Sequence, residues 1–301
     1  MNGYSSLELI LKDILLAINP SREDWSVRFH TIKELQAVVE SIENLRDGWG
    51  RIQFISNARV PILKLVSGYG ISCDISISNL CGQMKSKLLF WINEIDDRFR
   101  DLVLLVKEWA KAHNINDPKS GTLNSYSLSL LVVYHLQTLE PAILPPLREI
   151  YPGNMIEDLT GVRAAAVKHI EDICAVNINR FKSNRSRLMI NRSSLAELFI
   201  SFLAKFADIC SRASEQGISP FSGRRQDIYS NMRWLPYTHK LFVEDPFEQP
   251  ENTARTVSSN QMKMIVEAIQ ATRSVIMSPR QKKSKVCCFI SGQVAYITFS
   301  S

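Results

Sequence analysis

Two lysines one helical turn apart, a Gly-Thr loop and a Ser-Tyr pair opening a second apolar helix all fall within residues 99–135. Lys107 and Lys111 stand at i and i+4, so they project from one face of a helix. Ser125 and Tyr126 lie at the start of the next helix, where free backbone N–H groups favour anions. Two cations and a hydroxyl suit phosphates, and an aromatic plane suits a base, so the set fits a nucleoside triphosphate. The same spacing also describes a solvated lysine face and an ordinary serine cap, and spacing alone leaves both open. Two acidic features add to the inventory. Asp74 sits in the alternating stretch ISCDISISN (71–79), and Glu244-Asp245-Pro246-Phe247-Glu248 follows an apolar run. Alternation alone makes Asp74 a polar residue on the open side of an amphipathic strand.

The elements that must position these residues change type along the chain. Leu7, Ile10, Leu11, Ile14, Leu15 and Ile18 follow helical spacing until Asn19-Pro20. A second helix over about 22–45 carries Ile32, Leu35, Val38, Val39 and Ile42 on one stripe. Between 51 and 79 the period becomes that of strands: 53–56, 60–66 and 71–77 are short and β-branched, the last two joined by Ser67-Gly68-Tyr69-Gly70. Ile71, Cys73, Ile75 and Ile77 then face one way, and Ser72, Asp74, Ser76 and Ser78 the other. Helices are expected over about 83–93, 96–113, 124–139, 155–180, 193–213 and 260–277. This is an α+β layout, a small sheet-bearing unit followed by a larger helical one. The Pro-rich stretch 141–153 reads as an extended connector and 217–250 as a long functional loop.

Bulk properties bound the class. A chain of 301 residues with 45% hydrophobic and 22% charged residues can bury a sizeable core. A net charge of +6 is compatible with nucleotide or RNA partners. Six cysteines without a Cys-x-x-Cys pair or zinc-like histidine spacing argue against a zinc site. Reduced thiols, in the cytoplasm or the nucleus, are the simpler expectation. The basic run Arg280-Gln281-Lys282-Lys283-Ser284-Lys285 is a weak nuclear signal. The most apolar run, 128–134, is too short to span a bilayer, so no membrane role is expected.

Residues 99–135, 71–79 and 242–258 occur in the order seen in template-independent RNA nucleotidyltransferases of the DNA polymerase β superfamily. The chain resembles these enzymes over roughly residues 5–278, and most closely the plant terminal uridylyltransferases. The resemblance implies a truncated polymerase-β-like palm over 20–95 and a poly(A) polymerase-like helical domain from 1–19 and 96–278, with 279–301 a tail of no assigned role. It implies UTP as donor, RNA 3′ ends (small RNA or mRNA fragments) as acceptor, and Mg²⁺ or Mn²⁺ as the metal. Asp74 matches the third metal-binding acid and is the catalytic candidate. Lys107 and Lys111 match the triphosphate lysines, Ser125 the phosphate-contacting serine, and Tyr126 the aromatic that stacks on the base. Ser86, with Lys85 beside it, matches the region contacting the ribose, and Asn79 lies at a strand end near it. Asp245 and Glu248 match acids near the base edge. Asn252 and Arg255 continue that pattern. Glu251 stands where some uridylyltransferases carry a histidine that disfavours adenine, which keeps a poly(A)-type adenylyltransferase as an alternative. Arg180, Lys182, Arg185, Arg187 and Arg192 are candidates for holding RNA, or a solvated helix end.

The family pattern is broken at one place. Its Gly-Ser turn and Asp-x-Asp strand normally lie upstream of the third acid, and no such pairs precede Asp74 here. Leu45-Arg46 resembles the family just before that segment, and 48–62 resembles it well after. The resemblance therefore implies a chain with one of three metal-holding acids, an unpaired edge in its sheet, and impaired or lost activity. A dead relative that still binds nucleotide or RNA remains the non-enzyme alternative.

Overall fold

β-branched and aromatic residues in short alternating runs build the first sheet. The computed structural model describes residues 26, 30, 33, 49–57, 60–67, 72–77, 79–159, 163–185, 190–235 and 239–277. The two helices expected before residue 46 and the tail beyond 278 lie outside those positions, apart from three isolated helical residues. The chain forms two compact units, Met1–Gln83 and Met84–Ser301.

In the first unit, β1 (Trp49–Ile55), β2 (Ile62–Ser67) and β3 (Ser72–Ser76) form an antiparallel sheet in the order β1-β2-β3. Leu63 pairs with Ile75 and Lys64 with Asp74 across the β2–β3 ladder. Side chains alternate faces along a strand. Leu63 and Leu65 are accordingly buried against Phe54, Ile75 and Ile77, while Asp74 is exposed. Among the described residues β3 is an edge strand, paired on one side only.

The second unit is mainly helical, and its first helix starts four residues before the boundary. Its elements are α1 (Leu80–Asn93), α2 (Arg98–Ala112), α3 (Ser125–Gln137), the single turns α4 (Leu147–Ile150) and α5 (Met155–Asp158), α6 (Arg163–Arg185), α7 (Leu195–Ser211) and α8 (Ser259–Met277). In α2, Phe99, Leu102, Val103, Val106, Trp109 and Ala110 recur at three- and four-residue spacing and are buried. α3 is buried from Ser127 to Gln137 and packs against α2 and α7. α7 opens with a capping box, in which Ser194 and Glu197 satisfy each other's backbone N–H groups, and packs against α8. Trp109, fully buried, donates its indole N–H to Thr272 Oγ1 of α8 at 2.8 Å. No helix of the described residues is long and apolar enough to cross a membrane.

Three expectations need correction. The helix over 155–180 is two elements, α5 and α6, with Gly161 in the sequence between them, a residue of low helix propensity. The long loop 217–250 contains a hairpin, β4 (Gln216–Ser219) with β5 (Arg224–Asp227). Its charged Arg-Arg-Gln-Asp strand lacks any β-like alternation, which hid it. The connector 141–153 is not merely extended, for it carries α4 and is stapled to the hairpin. Leu147 N–H donates to Pro220 O at 3.2 Å and Arg148 N–H to Phe221 O at 3.0 Å. Gln137 Nε2 donates to Pro145 O and Pro220 O, both at 2.9 Å. Prolines remove N–H donors but keep their carbonyls, and α3's last residue supplies the missing donors.

His135, in the middle of this core, is 1% exposed and contacts Ser201 Oγ through Nε2 at 3.2 Å. Burial, then the charge of Lys205, pushes its pKa down to about 4. Folded, it binds fewer protons than the unfolded chain between its ordinary value of 6.5 and about 4. Stability therefore rises with pH through that window and is lost as pH falls through it, by about 3 kcal/mol in all. Urea unfolding at pH 7 and pH 4.5 is expected to show this loss, with a smaller pH dependence in H135L. Ser201 keeps Leu198 O as a partner in that variant. Trp109→Ala is expected to cost about 3–5 kcal/mol in the same assay at pH 7.

Candidate functional site

The motif at 244–248 becomes a site because its backbone is fixed first. Asn252, 5% exposed, accepts from the N–H groups of Val243 (3.0 Å) and Ala254 (2.9 Å) and donates to Leu241 O (2.8 Å). One buried amide thus closes the loop on itself. Thr253 O then accepts from Asn124 Nδ2 (2.9 Å) and Ser127 Oγ (2.7 Å) at the head of α3. Asn124 also caps α3 by accepting from Ser127 N. The loop and the first turn of α3 are held as one piece, and Tyr126 lies within it.

Asp245 is 3% exposed. Its Oδ1 accepts from the N–H of Phe247 (2.9 Å) and Glu248 (3.3 Å) and from the Tyr126 hydroxyl (3.3 Å). Its Oδ2 accepts from Lys85 Nζ at 2.6 Å, and the same ammonium donates to Glu248 Oε2 at 2.5 Å. Nζ also stands 5.1 Å from the centre of the Tyr126 ring, in cation–π range. Burial pulls the Lys85 pKa down, but attraction and hydrogen bonds from Asp245 and Glu248 outweigh it, so the ammonium is held above the usual lysine range. Glu244 points elsewhere. It accepts from Trp234 Nε1 at 3.3 Å, and burial raises its pKa above that of an ordinary glutamate.

The structure thus unites Tyr126, Asp245 and Glu248, three of the expected residues, and adds Lys85. Sequence reasoning placed Lys85 only as a neighbour of Ser86, because no spacing rule links residues 160 positions apart. Ser86 is exposed beside it on α1. Asn79 serves the backbone, its Oδ1 accepting from Gly82 N at 3.1 Å at the start of α1. Ser125 is exposed in the first turn of α3 and exchanges contacts of 3.3–3.4 Å with Asn116.

The two lysines of α2 differ. Lys111 is exposed and paired with Glu108 at 2.7 Å. Lys107 is half-buried, and burial, then the charge of Lys111, pulls its pKa down. A desolvated ammonium beside a like charge is an electrostatic cost that a bound anion reverses. Of the basic cluster, Arg180, Lys182 and Arg192 are exposed, while Arg187 and the side chain of Arg185 lie outside the described positions.

Asp74 belongs to the other compact unit. Its cross-strand neighbour is Lys64, not an acid. Among the described residues no group of three His, Cys, Asp or Glu side chains could hold a metal ion. A pair of Mg²⁺ ions needs several hard oxygen ligands, and the described residues do not fit one.

Comparison with known proteins decides the family. Protein HESO1 of Arabidopsis thaliana is 47% identical over 97% of this chain and 68% of its own length. The chain belongs to the RNA terminal nucleotidyltransferases, with the plant terminal uridylyltransferases as its branch. Residues 6–94 match the family described as "Poly(A) RNA polymerase, mitochondrial-like, central palm domain". Mouse Poly(A) RNA polymerase GLD2 is 35% identical over 68% of this chain and 39% of its own length. Among solved structures, the Cid1 poly(U) polymerase with Mg and 3′-dATP bound is 27% identical over 91% of this chain and 78% of that one, with a TM-score of 0.62. Family and fold are thus those of RNA nucleotidyltransferases, and the α+β architecture matches. The family works with Mg²⁺. The HESO1 match runs over 349 residues, more than the 301 of this chain. HESO1 therefore carries residues inside the matched region that this chain lacks.

The two lysines of α2 should separate in a binding experiment. In competition against a fluorescent UTP analogue, K107M is expected to weaken UTP binding by roughly tenfold or more, the scale of a charge-assisted contact. Its melting temperature should not fall, because the half-buried charge is relieved. K111M is expected to have the smaller effect on UTP.

Proposed function

We propose that this chain is built to bind UTP for transfer of UMP to RNA 3′ ends, and that it transfers poorly or not at all as it stands. The observation that carries the binding half is the cluster of Asp245, Glu248, Lys85 and Tyr126. An ionised carboxylate accepts hydrogen bonds only. Uracil offers N3–H to such an acceptor, whereas adenine turns the lone pair of N1 to the corresponding position. Tyr126 supplies a ring face for the base, a contact worth about 1–3 kcal/mol in aromatic platforms generally. Lys107, with Lys111 and Ser125, is assigned to the triphosphate, and Ser86 to the ribose. Kinship with HESO1 favours uridine, and kinship with GLD2 keeps adenosine as the competing donor.

The impaired half rests on the acids. In this proposal residues 20–95 are a truncated palm, 1–19 and 96–278 the helical domain, and Asp74 the remaining metal-binding acid. Two-metal chemistry is the family's route, and one exposed carboxylate facing a lysine does not supply its ligands. Loss of about 4 kcal/mol of transition-state stabilisation is about a thousandfold in rate.

Primer extension on a short RNA with UTP and Mg²⁺ tests both halves. The chain is expected to add tails at least about a thousandfold more slowly than a version with the Gly-Ser and Asp-x-Asp segment of a full relative restored before Gly48. The restored version is expected to prefer UTP over ATP. Robust tailing by the unaltered chain would refute the impairment, and an ATP preference would favour the adenylyl alternative.

A further inference from the structure

Two nearly buried carboxylates three residues apart, next to a tetra-anionic nucleotide, pose an electrostatic problem that Lys85 addresses. Its ammonium touches both, at 2.6 Å on Asp245 and 2.5 Å on Glu248, and the three side chains are only 16%, 4% and 19% exposed in the order Lys85, Asp245, Glu248. We propose that Lys85 is a positioning residue for nucleobase choice: it clamps Asp245 and Glu248 side by side as hydrogen-bond acceptors next to the Tyr126 ring. This rests on the nucleotide reading above and adds to it a residue and a mechanism.

The argument runs through charge and valence. Two carboxylates that share a dry site without a cation cannot both ionise, and one takes up a proton. A protonated carboxyl is a donor as well as an acceptor. The edge presented to a base would then no longer be acceptor-only, and a base offering a lone pair would be admitted. With the ammonium in place, the cluster carries one net negative charge rather than two. Charged and titratable groups near these residues in the chain have partners of their own. Glu244 faces Trp234 Nε1, Glu251 pairs with Arg255 at 3.3 Å, Lys87 pairs with Glu171 on α6, and the Tyr126 hydroxyl donates to Asp245. Lys85 contacts both acids at once. Three N–H donors on one point charge allow that double grip.

The test is UTP and ATP affinity from pH 6.5 to 8.5, read by competition with a fluorescent UTP analogue on the full chain. Expressing each variant relative to the unaltered chain removes the titration of the nucleotide itself. For K85M the UTP affinity ratio is expected to fall by roughly tenfold across this range as the second acid loses its proton, and the preference for UTP over ATP to shrink. K85R, which keeps the charge, is expected to hold a flat ratio. K85M/E248Q, which removes one negative charge with the positive one, is expected to recover both the melting temperature and the flat profile while leaving adenine discrimination weak. That recovery does not depend on K85M being stable. A K85M ratio that stays flat, or a double variant no more stable than K85M, would show that Lys85 acts by packing alone and would overturn the proposal. An unaltered chain that binds neither UTP nor ATP would overturn the nucleotide reading itself, and this inference with it.

Discussion

An ionised carboxylate can sit in a nearly dry place only if donors surround it, and Asp245 shows how much structure that demands. Backbone N–H groups, a phenol hydroxyl and an ammonium converge on its two oxygens. These donors come from three parts of the chain, the loop itself, α3 and α1, so each part must be held in place. The loop supplies the backbone donors because Asn252 closes it. α3 supplies Tyr126 because Asn124 and Ser127 grip Thr253. α1 supplies Lys85. The energetic logic is one-sided, since breaking such a buried pair by removing one partner costs far more than the pair gains over an apolar substitute. An arrangement of this kind is weak evidence of stability gained, which fits the recognition role proposed for it.

The core beneath it follows simpler rules. α3 has almost no polar face, which suits a helix surrounded by α2, α7 and the stapled connector. Its polar ends do the joining, with Asn124 at one end gripping the acidic loop and Gln137 at the other holding the proline carbonyls. Rigid placement on such a helix is what the proposed choice between similar bases by a small set of polar contacts would need.

The sheet presents the opposite case. Its local physics is sound, with Leu63 and Leu65 buried and the ladder in register. Yet Asp74 stands alone on the exposed face opposite Lys64. A fold can persist after its catalytic acids are lost, because strand pairing depends on backbone bonds and apolar burial, whereas metal binding depends on several carboxylates meeting at one point. The cluster around Asp245 is thus tied together by many contacts, whereas among the described residues the sheet offers Asp74 no second carboxylate with which to hold a metal.

Periodicity made much of this legible in advance. The strands around 53–77 and the helices α1, α2, α3, α7 and α8 follow from alternation or from three- and four-residue apolar spacing, which are local properties. Residue type made Tyr126 identifiable as a ring suited to a base, and the family resemblance marked Asp245 and Glu248 as acids near the base edge. The grip of Lys85 on both acids was not legible, since an ammonium 160 residues from its partner leaves no trace in local spacing. The hairpin at 216–227 was hidden for a related reason: its charged second strand is paired through backbone bonds that carry no side-chain signature. Sequence alone determined which groups were present and most of the helices and strands, and its resemblance to the nucleotidyltransferases implied that the Gly-Ser and Asp-x-Asp segment is missing upstream of Asp74. Only the tertiary structure decided which charges share a buried site, because desolvation and pairing are properties of three-dimensional neighbourhood rather than of order along the chain.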